Sequence, residues 1–293
     1  MKRALIVFGG VMALLVLALY LWPAPKPVAH IYFEAAPVGR AEIIAHGGGQ
    51  GHAPPNTLLA LQRASDMGAD VLEIDVQQTR DGVLIVRHDD TLDRTTNLQG
   101  LIADLDWVDI ARADAGATWI IDNERFADRG ITVPKLEDVL AAFPDARWIL
   151  EIKNDTPAAA IGMCTAIRSV DALDRVLVAS FHDDAMAQFR AVCPSVATSM
   201  SSGEVQTFVI AARVGLARRV STPAVALQIP MQASGLDLTH PRVIAAAKAR
   251  GIRVQYWTIN APDDISYLLE AGADGIMTDY VDRGFAALEV IPE

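Results

Sequence analysis

The sequence predicts an α/β fold, a (β/α)8 or TIM barrel that carries a small insertion and follows one N-terminal transmembrane helix. Three observations indicate this fold class. Eight short apolar runs have the composition of buried strands, most are separated by helical patterns, and about 250 residues beyond the N-terminus suit one barrel domain. The strand-like runs are 41–46, 71–76, 148–153, 176–181, 196–200, 224–230, 253–259 and 275–279.

Helical patterns with recognisable ends lie between several of these runs. Apolar residues recur at helical spacing, and a glycine follows several segments, as at Gly68, Gly251 and Gly272. The predicted helices are 57–67, 136–143, 183–192, 241–249 and 262–271. We therefore expect one barrel domain over 41–285 and a C-terminal tail over 286–293. Within the barrel, residues 90–132 break the alternation and form the predicted insertion.

The first 40 residues have the composition of a membrane anchor and a linker. Residues 1–3 carry two cations and form the predicted cytoplasmic N-terminus, and the uncharged run 4–22 is long enough to cross a bilayer. Positive charge before the apolar run favours a cytoplasmic N-terminus, which places the rest of the chain outside the cytoplasm, on the periplasmic or extracellular side. A cleaved signal peptide is the alternative, although no clean Ala-x-Ala site precedes the proline-rich linker 23–40. In that compartment Cys164 and Cys193 either form one disulfide or remain buried thiols.

The charge of the chain argues against one class of partner. The formal net charge is -11, and no basic run interrupts the acidic balance beyond the first residues. A chain of this charge repels phosphate backbones, so we expect no nucleic-acid partner. The hydrophobic fraction of 52% suffices for the core of a single domain.

A predicted hairpin places a histidine beside two carboxylates. The segments on either side of Asp81-Gly82 are β-branched and aliphatic, which indicates two strands joined by a two-residue turn. In that register Asp75 lies opposite His88, and Glu73 shares a face with Asp75 because side chains alternate along a strand. A slip of one residue would turn His88 away from the carboxylates.

A third carboxylate lies in the strand-like run 148–153. Glu151 and Lys153 share one face of this otherwise apolar strand. Charges in such a strand are costly unless they are paired or bound to a metal. Together Glu73, Asp75 and Glu151 offer an all-oxygen site, which suits Mg²⁺ or Ca²⁺ better than zinc.

The order of short motifs along the chain resembles the glycerophosphodiester phosphodiesterase family. The pattern of that family is His-Arg-Gly, Pro-Glu-Asn-Thr, Glu-x-Asp, His-Asp, Glu-x-Lys, Trp-Thr-x-Asn and Thr-Asp. The corresponding motifs here are His46-Gly47-Gly48, Pro54-Pro55-Asn56-Thr57, Glu73-Ile74-Asp75, His88-Asp89, Glu151-Ile152-Lys153, Trp257-Thr258-Ile259-Asn260 and Thr278-Asp279. The resemblance implies that the insertion is a small cap near the barrel mouth.

The resemblance also implies metal-dependent hydrolysis of a glycerophosphodiester to an alcohol and glycerol 3-phosphate. His46 and His88 would exchange protons with the nucleophile and the leaving alcohol, while the divalent cation on the three carboxylates neutralises charge. Lys153 would contact the phosphate, and Trp257 would pack against the glycerol or head group. Asp279 either belongs to this site or only caps the turn after the last strand.

Two positions depart from the family pattern. Gly47 stands where the family has an arginine that holds the phosphate, and Pro55 replaces the glutamate of Pro-Glu-Asn-Thr. Glycine has no side chain for a bidentate contact, so phosphate binding would depend on the lysine, the metal and the backbone amides of 47–51. Gln50 or His52 could take the place of the arginine.

Two alternative functions remain open from the sequence. A lysophospholipase D would keep the chemistry but act on membrane lysophospholipids, near which the N-terminal helix would hold it. The second alternative is a membrane-tethered binding protein without catalytic activity. The two departures from the family pattern suggest it. The apolar residues of the insertion, with Trp107 and Trp119, either pack on the barrel, as we expect, or bind a lipid tail.

Overall fold

The computed structural model describes residues 29–290. The strands in this range are β1 (Glu42–Ala45), β2 (Val71–Gln78), β3 (Leu84–Val86), β4 (Ile120–Ile121), β5 (Glu124–Arg125), β6 (Trp148–Ile152), β7 (Val176–Ala179), β8 (Ala197–Thr198), β9 (Ala226–Ile229), β10 (Gln232–Ala233), β11 (Leu236–Asp237), β12 (Arg253–Tyr256) and β13 (Gly275–Thr278). The α-helices are α1 (Leu58–Asp66), α2 (Trp107–Ile110), α3 (Leu136–Ala142), α4 (Pro157–Ser169), α5 (Asp183–Val192), α6 (Ser202–Arg213), α7 (Pro241–Lys248), α8 (Pro262–Glu270) and α9 (Val281–Val290).

Eight of the described strands form a parallel barrel. Their order around it is β1, β2, β6, β7, β8, β9, β12 and β13, and β13 pairs again with β1. Between β8 and β9 the barrel closes through a parallel bridge that joins Ser199 to Ala226. Each of the eight predicted strand-like runs overlaps one barrel strand, although β2 extends two residues past its run, so the predicted (β/α)8 barrel is confirmed.

The barrel strands are apolar because both of their faces are buried. Ile44, Ile149 and other alternate residues fill the barrel interior, while their neighbours Ile43 and Leu150 pack beneath the surrounding helices. A parallel strand covered on both sides therefore appears in the sequence as a continuous apolar run.

The five predicted helices are present, as α1, α3, α5, α7 and α8. Helices α4, α6 and α9 complete the alternation of strands and helices but were not among the predicted helices. Helix α9 continues to Val290, so the predicted domain boundary at 285 is wrong and falls inside this helix. The amphipathic pattern of the last helix extends past that point because Ala287 packs on the core.

Part of the predicted linker 23–40 belongs to the barrel domain. Tyr32 is buried at the amino end of the barrel, where the Arg147 guanidinium lies 4.4 Å from its ring centroid. The predicted cytoplasmic residues 1–3 and the predicted anchor 4–22 lie outside the described residues. Across residues 29–290, no helix has both the length and the apolar character needed to cross a bilayer.

The register of the β2–β3 hairpin differs from the predicted one by one residue. Asp75 lies opposite Arg87, whose N–H donates to the Asp75 carbonyl over 2.9 Å, so the predicted pairing of Asp75 with His88 is wrong. The physical reason lies in the turn. Gly82 has a left-handed φ of 87°, and the loop contains three residues, 80–82, whereas the predicted two-residue turn needs two left-handed residues.

The insertion packs on the barrel, as expected. Leu92, Ile102 and Ile110 of the insertion form a buried cluster with Ile85 of β3. A second cluster joins Phe126 and Trp119 to residues beside α1. These contacts place the insertion as a cap over the β1–β2 side of the carboxyl end of the barrel.

The two cysteines form a disulfide between neighbouring helices on the outside of the barrel. Cys164 of α4 is bonded to Cys193, the residue after α5. Of the two alternatives that the sequence left open, the structure has the disulfide. Closing a loop with a sequence separation of 29 residues stabilises a fold by about 3.6 kcal/mol in the chain-entropy model.

Candidate active site

The three predicted metal ligands converge at the carboxyl end of the barrel. β2 continues past its pairing with β1, which places Glu73 and Asp75 above the end of β1. β6 runs beside β2 with Glu151 directly next to Asp75. Oxygen atoms of the three carboxylates lie within 4.8 Å of one another. The predicted acidic group is therefore present in the structure.

Asp75 is held by an asparagine that the sequence analysis did not assign to the site. Asn56 Nδ2 donates to Asp75 Oδ2 over 2.8 Å, and the Asp75 N–H donates to Asn56 Oδ1 over 3.0 Å. Asn56 has a left-handed φ of 59°, and Thr57 after it caps α1 by accepting from Ala60 N–H. The Pro-Pro-Asn-Thr motif therefore orients a carboxylate and begins a helix, which is the signal that could have identified Asn56.

Glu73 is buried among other acids. The Gly47 N–H donates to Glu73 Oε2 over 2.7 Å. Burial and the Asp75 carboxylate raise the pKa of Glu73 to about 8, against the lowering effect of His46 and this hydrogen bond. Gly47 is tightly placed here: its φ is 54°, and a Cβ on it would lie 3.4 Å from Pro55 Cβ. The two departures from the family pattern therefore lie against each other.

Lys153 connects two of the three carboxylates. Its Nζ lies 2.9 Å from Asp75 Oδ1 and 2.8 Å from Glu151 Oε1. Burial raises the pKa of Glu151 despite the adjacent lysine. Burial also opposes the charged form of Asp75, but Lys153, His88 and Asn56 together outweigh it and lower the pKa of Asp75. The predicted contact of Lys153 with a substrate phosphate stays a prediction.

The acidic group suits a hard divalent cation. All of its donor atoms are carboxylate oxygens, the ligands that Mg²⁺ and Ca²⁺ prefer. Burial and the neighbouring Asp75 carboxylate both disfavour the charged form of Glu73 and raise its pKa. A divalent cation would balance the negative charge, and Glu73, Asp75 and Glu151 are the residues that would hold it.

His46 is paired with an aspartate from the last barrel strand. The His46 ring nitrogen Nδ1 lies 2.7 Å from Asp279 Oδ1, and Gln50 Nε2 and Asn260 Nδ2 each donate to Asp279 over 2.7 Å. If the Nδ1–H of His46 donates a hydrogen bond to Asp279, its Nε2 is left for proton exchange. Burial opposes the imidazolium, but Asp279 and Glu73 outweigh it and raise the pKa of His46 to about 9.

These contacts decide between the two readings of Asp279 and assign a position to Gln50. Asp279 belongs to the site, because it accepts hydrogen bonds from the catalytic candidate His46 and from two amides. Asn260, the last residue of the Trp-Thr-x-Asn motif, orients it. The Gln50 side chain donates to Asp279 instead of extending freely into the barrel mouth. Its predicted role in substrate binding stays a prediction.

His88 is oriented in the same way from the other side. Its ring nitrogen Nδ1 lies 2.8 Å from Asp89 Oδ1, and Arg94 donates to both oxygens of Asp89. The hydrogen bonds from Arg94 and His88 lower the pKa of Asp89 to about 2. Although the hairpin register is shifted, His88 follows the end of β3, and its charge influences Asp75 and Glu151. Both predicted catalytic histidines therefore have an aspartate at Nδ1.

Trp257 lies beside an apolar groove at the same end of the barrel. Its indole contacts Phe181 edge to face, with ring centroids 5.5 Å apart. A groove of about 580 Å³ opens here. Its apolar lining includes Phe181, Met200, Val209, Ile210, Leu236 and Trp257. The predicted contact of Trp257 with the substrate stays a prediction, and the groove gives it a physical setting.

Without a divalent cation, the stability of the protein is expected to fall as pH rises from about 5 to about 9. The folded-state pKa of His46 is raised to about 9 from an ordinary 6.5, and that of Glu73 to about 8 from 4.5. A raised pKa contributes stability that is complete below the unfolded value and is lost as pH rises through the folded value. The expected loss in free energy of unfolding is about 3 kcal/mol for His46 and about 5 kcal/mol for Glu73.

Urea unfolding at several pH values, with and without EDTA, checks this expectation. Added Mg²⁺ or Ca²⁺ should stabilise more at pH 9 than at pH 5, because cations and protons compete for the carboxylates. Glu73→Gln is the control and should flatten part of the pH dependence. A metal-free protein whose stability rises over this range contradicts the electrostatic description of the site.

The chain matches a known family over most of its length. The sequence model of the family described as "Glycerophosphoryl diester phosphodiesterase family" matches residues 46–283 of this chain. A glycerophosphodiester phosphodiesterase of Caldanaerobacter subterraneus is 30% identical over 248 residues, which are 81% of this chain and 93% of that protein. A lysophospholipase D of Mus musculus is 26% identical over 274 residues, covering 85% of this chain and 82% of that protein.

A solved structure of an Oleispira antarctica phosphodiesterase shares the fold. It is 26% identical, superposes with a TM-score of 0.66, and covers 85% of this chain and 97% of that one. The structure of that protein is a complex with the product sn-glycerol-3-phosphate.

Proposed function

Because the chain belongs to the glycerophosphoryl diester phosphodiesterase family, we propose that it hydrolyses glycerophosphodiesters to an alcohol and glycerol 3-phosphate. One observation carries the proposal. The carboxylates of Glu73, Asp75 and Glu151 converge at the barrel mouth, and His46 and His88 approach them, each held at Nδ1 by an aspartate. The product bound to the Oleispira antarctica relative supports the choice of substrate class.

The proposed mechanism assigns proton transfer to the two histidines. Glu73, Asp75 and Glu151 would hold a divalent cation, Mg²⁺ or Ca²⁺, which when bound would supply Lewis-acid neutralisation of the phosphoryl charge. His46 and His88 each present Nε2, so one can accept a proton from the attacking hydroxyl while the other donates a proton to the leaving alcohol. Asp279 and Asp89 fix the ring orientations and stabilise the imidazolium forms. Lys153 offers a cation to the phosphate.

A substrate panel tests the function with the full-length purified protein. Glycerophosphocholine, glycerophosphoethanolamine and a lysophosphatidylcholine are each incubated with Mg²⁺, with Ca²⁺ and with EDTA. We expect release of glycerol 3-phosphate from the glycerophosphodiesters with at least one cation and none with EDTA. Metal-dependent ligand binding without turnover over many hours would instead favour the non-catalytic binding protein.

The apolar groove favours lysophospholipids as a second substrate class. The groove has an apolar wall at the barrel mouth, formed in part by Phe181, Trp257 and the partly exposed Ile210. Transfer of an acyl chain from water to such a wall is favourable. The similarity to a mammalian lysophospholipase D supports this candidate. With lysophospholipase D activity, the same site would release a head-group alcohol from a membrane lysophospholipid.

Two isoleucines of equal exposure offer a matched test. Ile210 lies in the groove and Ile161 lies on α4, and each is 53% exposed. Ile210→Asp should lower kcat/KM for lysophosphatidylcholine by about tenfold and leave that for glycerophosphocholine unchanged, whereas Ile161→Asp should change neither. Equal losses on both substrates would exclude the groove from chain recognition.

We further propose that residues 4–22 anchor the protein in a membrane with the barrel outside the cytoplasm. The disulfide between Cys164 and Cys193 supports this location, because disulfides persist mainly in oxidising compartments. Protease added to intact spheroplasts should then degrade the barrel. Protection of the barrel until the membrane is lysed would contradict the proposed location.

A further inference from the structure

The proposed mechanism offers one side-chain cation, Lys153, to the substrate phosphate. Lys153 is already shared between Asp75 and Glu151. Position 47, where the resembled family has a phosphate-binding arginine, is a glycine. Its neighbour Pro55 also lacks the charge that the family has there, so both members of a potential ion pair are missing together. Another arginine near the acidic group, Arg87, is therefore a candidate for contact with the phosphate.

Arg87 lies on the face of the hairpin that carries the acidic group. It is the register partner of Asp75, and its N–H donates to the Asp75 carbonyl over 2.9 Å. Directly opposed residues of an antiparallel pair project their side chains to the same face. Asp75 projects into the acidic group, so the Arg87 side chain leaves the hairpin on that same face, beside Ile85, on which the cap packs.

The Arg87 guanidinium is buried without a partner. The residue is only 2% exposed, and its Nε and Nη1 atoms are buried without a hydrogen-bond acceptor within residues 29–290. Other largely buried arginines of this range are paired: Arg147 with Glu42, and Arg190 with Glu204. An unpaired buried cation costs free energy, so its presence indicates a ligand that completes it.

The surrounding charges leave Arg87 available. Asp89 lies near enough to act on it electrostatically but is already engaged by Arg94 and His88. Asp75 is likewise engaged by Lys153 and Asn56. Burial lowers the pKa of Arg87 to about 10, which keeps the guanidinium charged at neutral pH.

We propose that Arg87 binds the substrate phosphate and takes over the task of the arginine that is missing at position 47. The two positions flank the same carboxylate, because a Cβ on Gly47 would lie 3.7 Å from Asn56 Nδ2, which donates to Asp75. A guanidinium donates two parallel hydrogen bonds to phosphate oxygens. This inference rests on the proposed function, because it assumes a phosphodiester substrate.

Calorimetric titration of the full-length protein with sn-glycerol 3-phosphate, in the cation that supports turnover, tests the inference. Arg87→Met removes the charge and should weaken binding by at least about tenfold, with KM for glycerophosphocholine rising more than kcat falls. Arg87→Lys should retain part of the affinity.

Thermal unfolding separates this function from a structural one. Because Arg87 has no partner to lose, Arg87→Met should leave the unfolding temperature unchanged or raise it. The control is Arg250→Met, which removes a buried guanidinium that donates to the Val220 carbonyl, and it should lower the unfolding temperature without weakening ligand binding.

Two results would overturn the inference. One is wild-type affinity for sn-glycerol 3-phosphate in Arg87→Met, and the other is destabilisation or failure to fold in that variant. If the wild type hydrolyses glycerophosphodiesters in either case, the proposed function stands while Arg87 is excluded. If the wild type binds sn-glycerol 3-phosphate but hydrolyses no diester, the proposed function fails, and the calorimetric comparison still decides the role of Arg87.

Discussion

Replacing Asp75 with asparagine is expected to lower kcat/KM by about 1,000-fold or more, equivalent to at least about 4 kcal/mol of transition-state stabilisation. Asp75 lies at the centre of the acidic group, beside Glu151 in the β2–β6 register and within reach of Glu73. The substitution keeps the size of the side chain but removes one negative charge. The divalent cation would then bind more weakly, and the developing charge on the phosphoryl group would be less well neutralised.

Steady-state kinetics and bound-metal analysis of the purified variant give the measurement. Circular dichroism should show an unchanged fold, because Asn56 and the strand register remain in place. Asp263→Asn, on an exposed carboxylate in the first turn of α8, is the matched control and should keep wild-type activity. Activity within tenfold of the wild type, with unchanged metal content, would remove Asp75 from the metal site.

Removing either histidine is expected to lower kcat by about 100-fold to 10,000-fold, the usual contribution of one general acid or base. His46→Gln and His88→Gln each leave an aspartate in place but abolish proton exchange at Nε2. Asp279→Asn should lower kcat as well, because the amide neither fixes the His46 ring in the required tautomer nor stabilises its charged form.

A substrate with p-nitrophenol as its leaving group distinguishes the two histidines. A good leaving group needs no proton, so the histidine that protonates the alcohol should be nearly dispensable for this substrate, while the other should stay essential. His240→Gln is the control, because His240 only caps α7 by accepting from Arg242 N–H. Wild-type turnover of glycerophosphocholine in either His46→Gln or His88→Gln would falsify the acid–base assignment.

Local patterns predicted the strands of the barrel and most of the acidic group. The alternation of apolar runs with helices is a local property, and parallel strands bring their carboxyl ends to one edge. Glu73, Asp75 and Glu151 could therefore be placed together before their distances were known. The register of the hairpin could not be predicted in this way, because it depends on the φ of Gly82, which fixes the loop length.

Sequence alone determined the barrel fold and which carboxylates and histidines are the candidates for the site, because strand periodicity and short motifs are local properties of the chain. Only the tertiary structure decided their partners. Closure of the barrel brings Asp279 to His46 across 233 positions, joins Cys164 to Cys193, and leaves Arg87 buried without a partner. Such pairings depend on how distant segments pack, and no local pattern in the chain encodes that geometry.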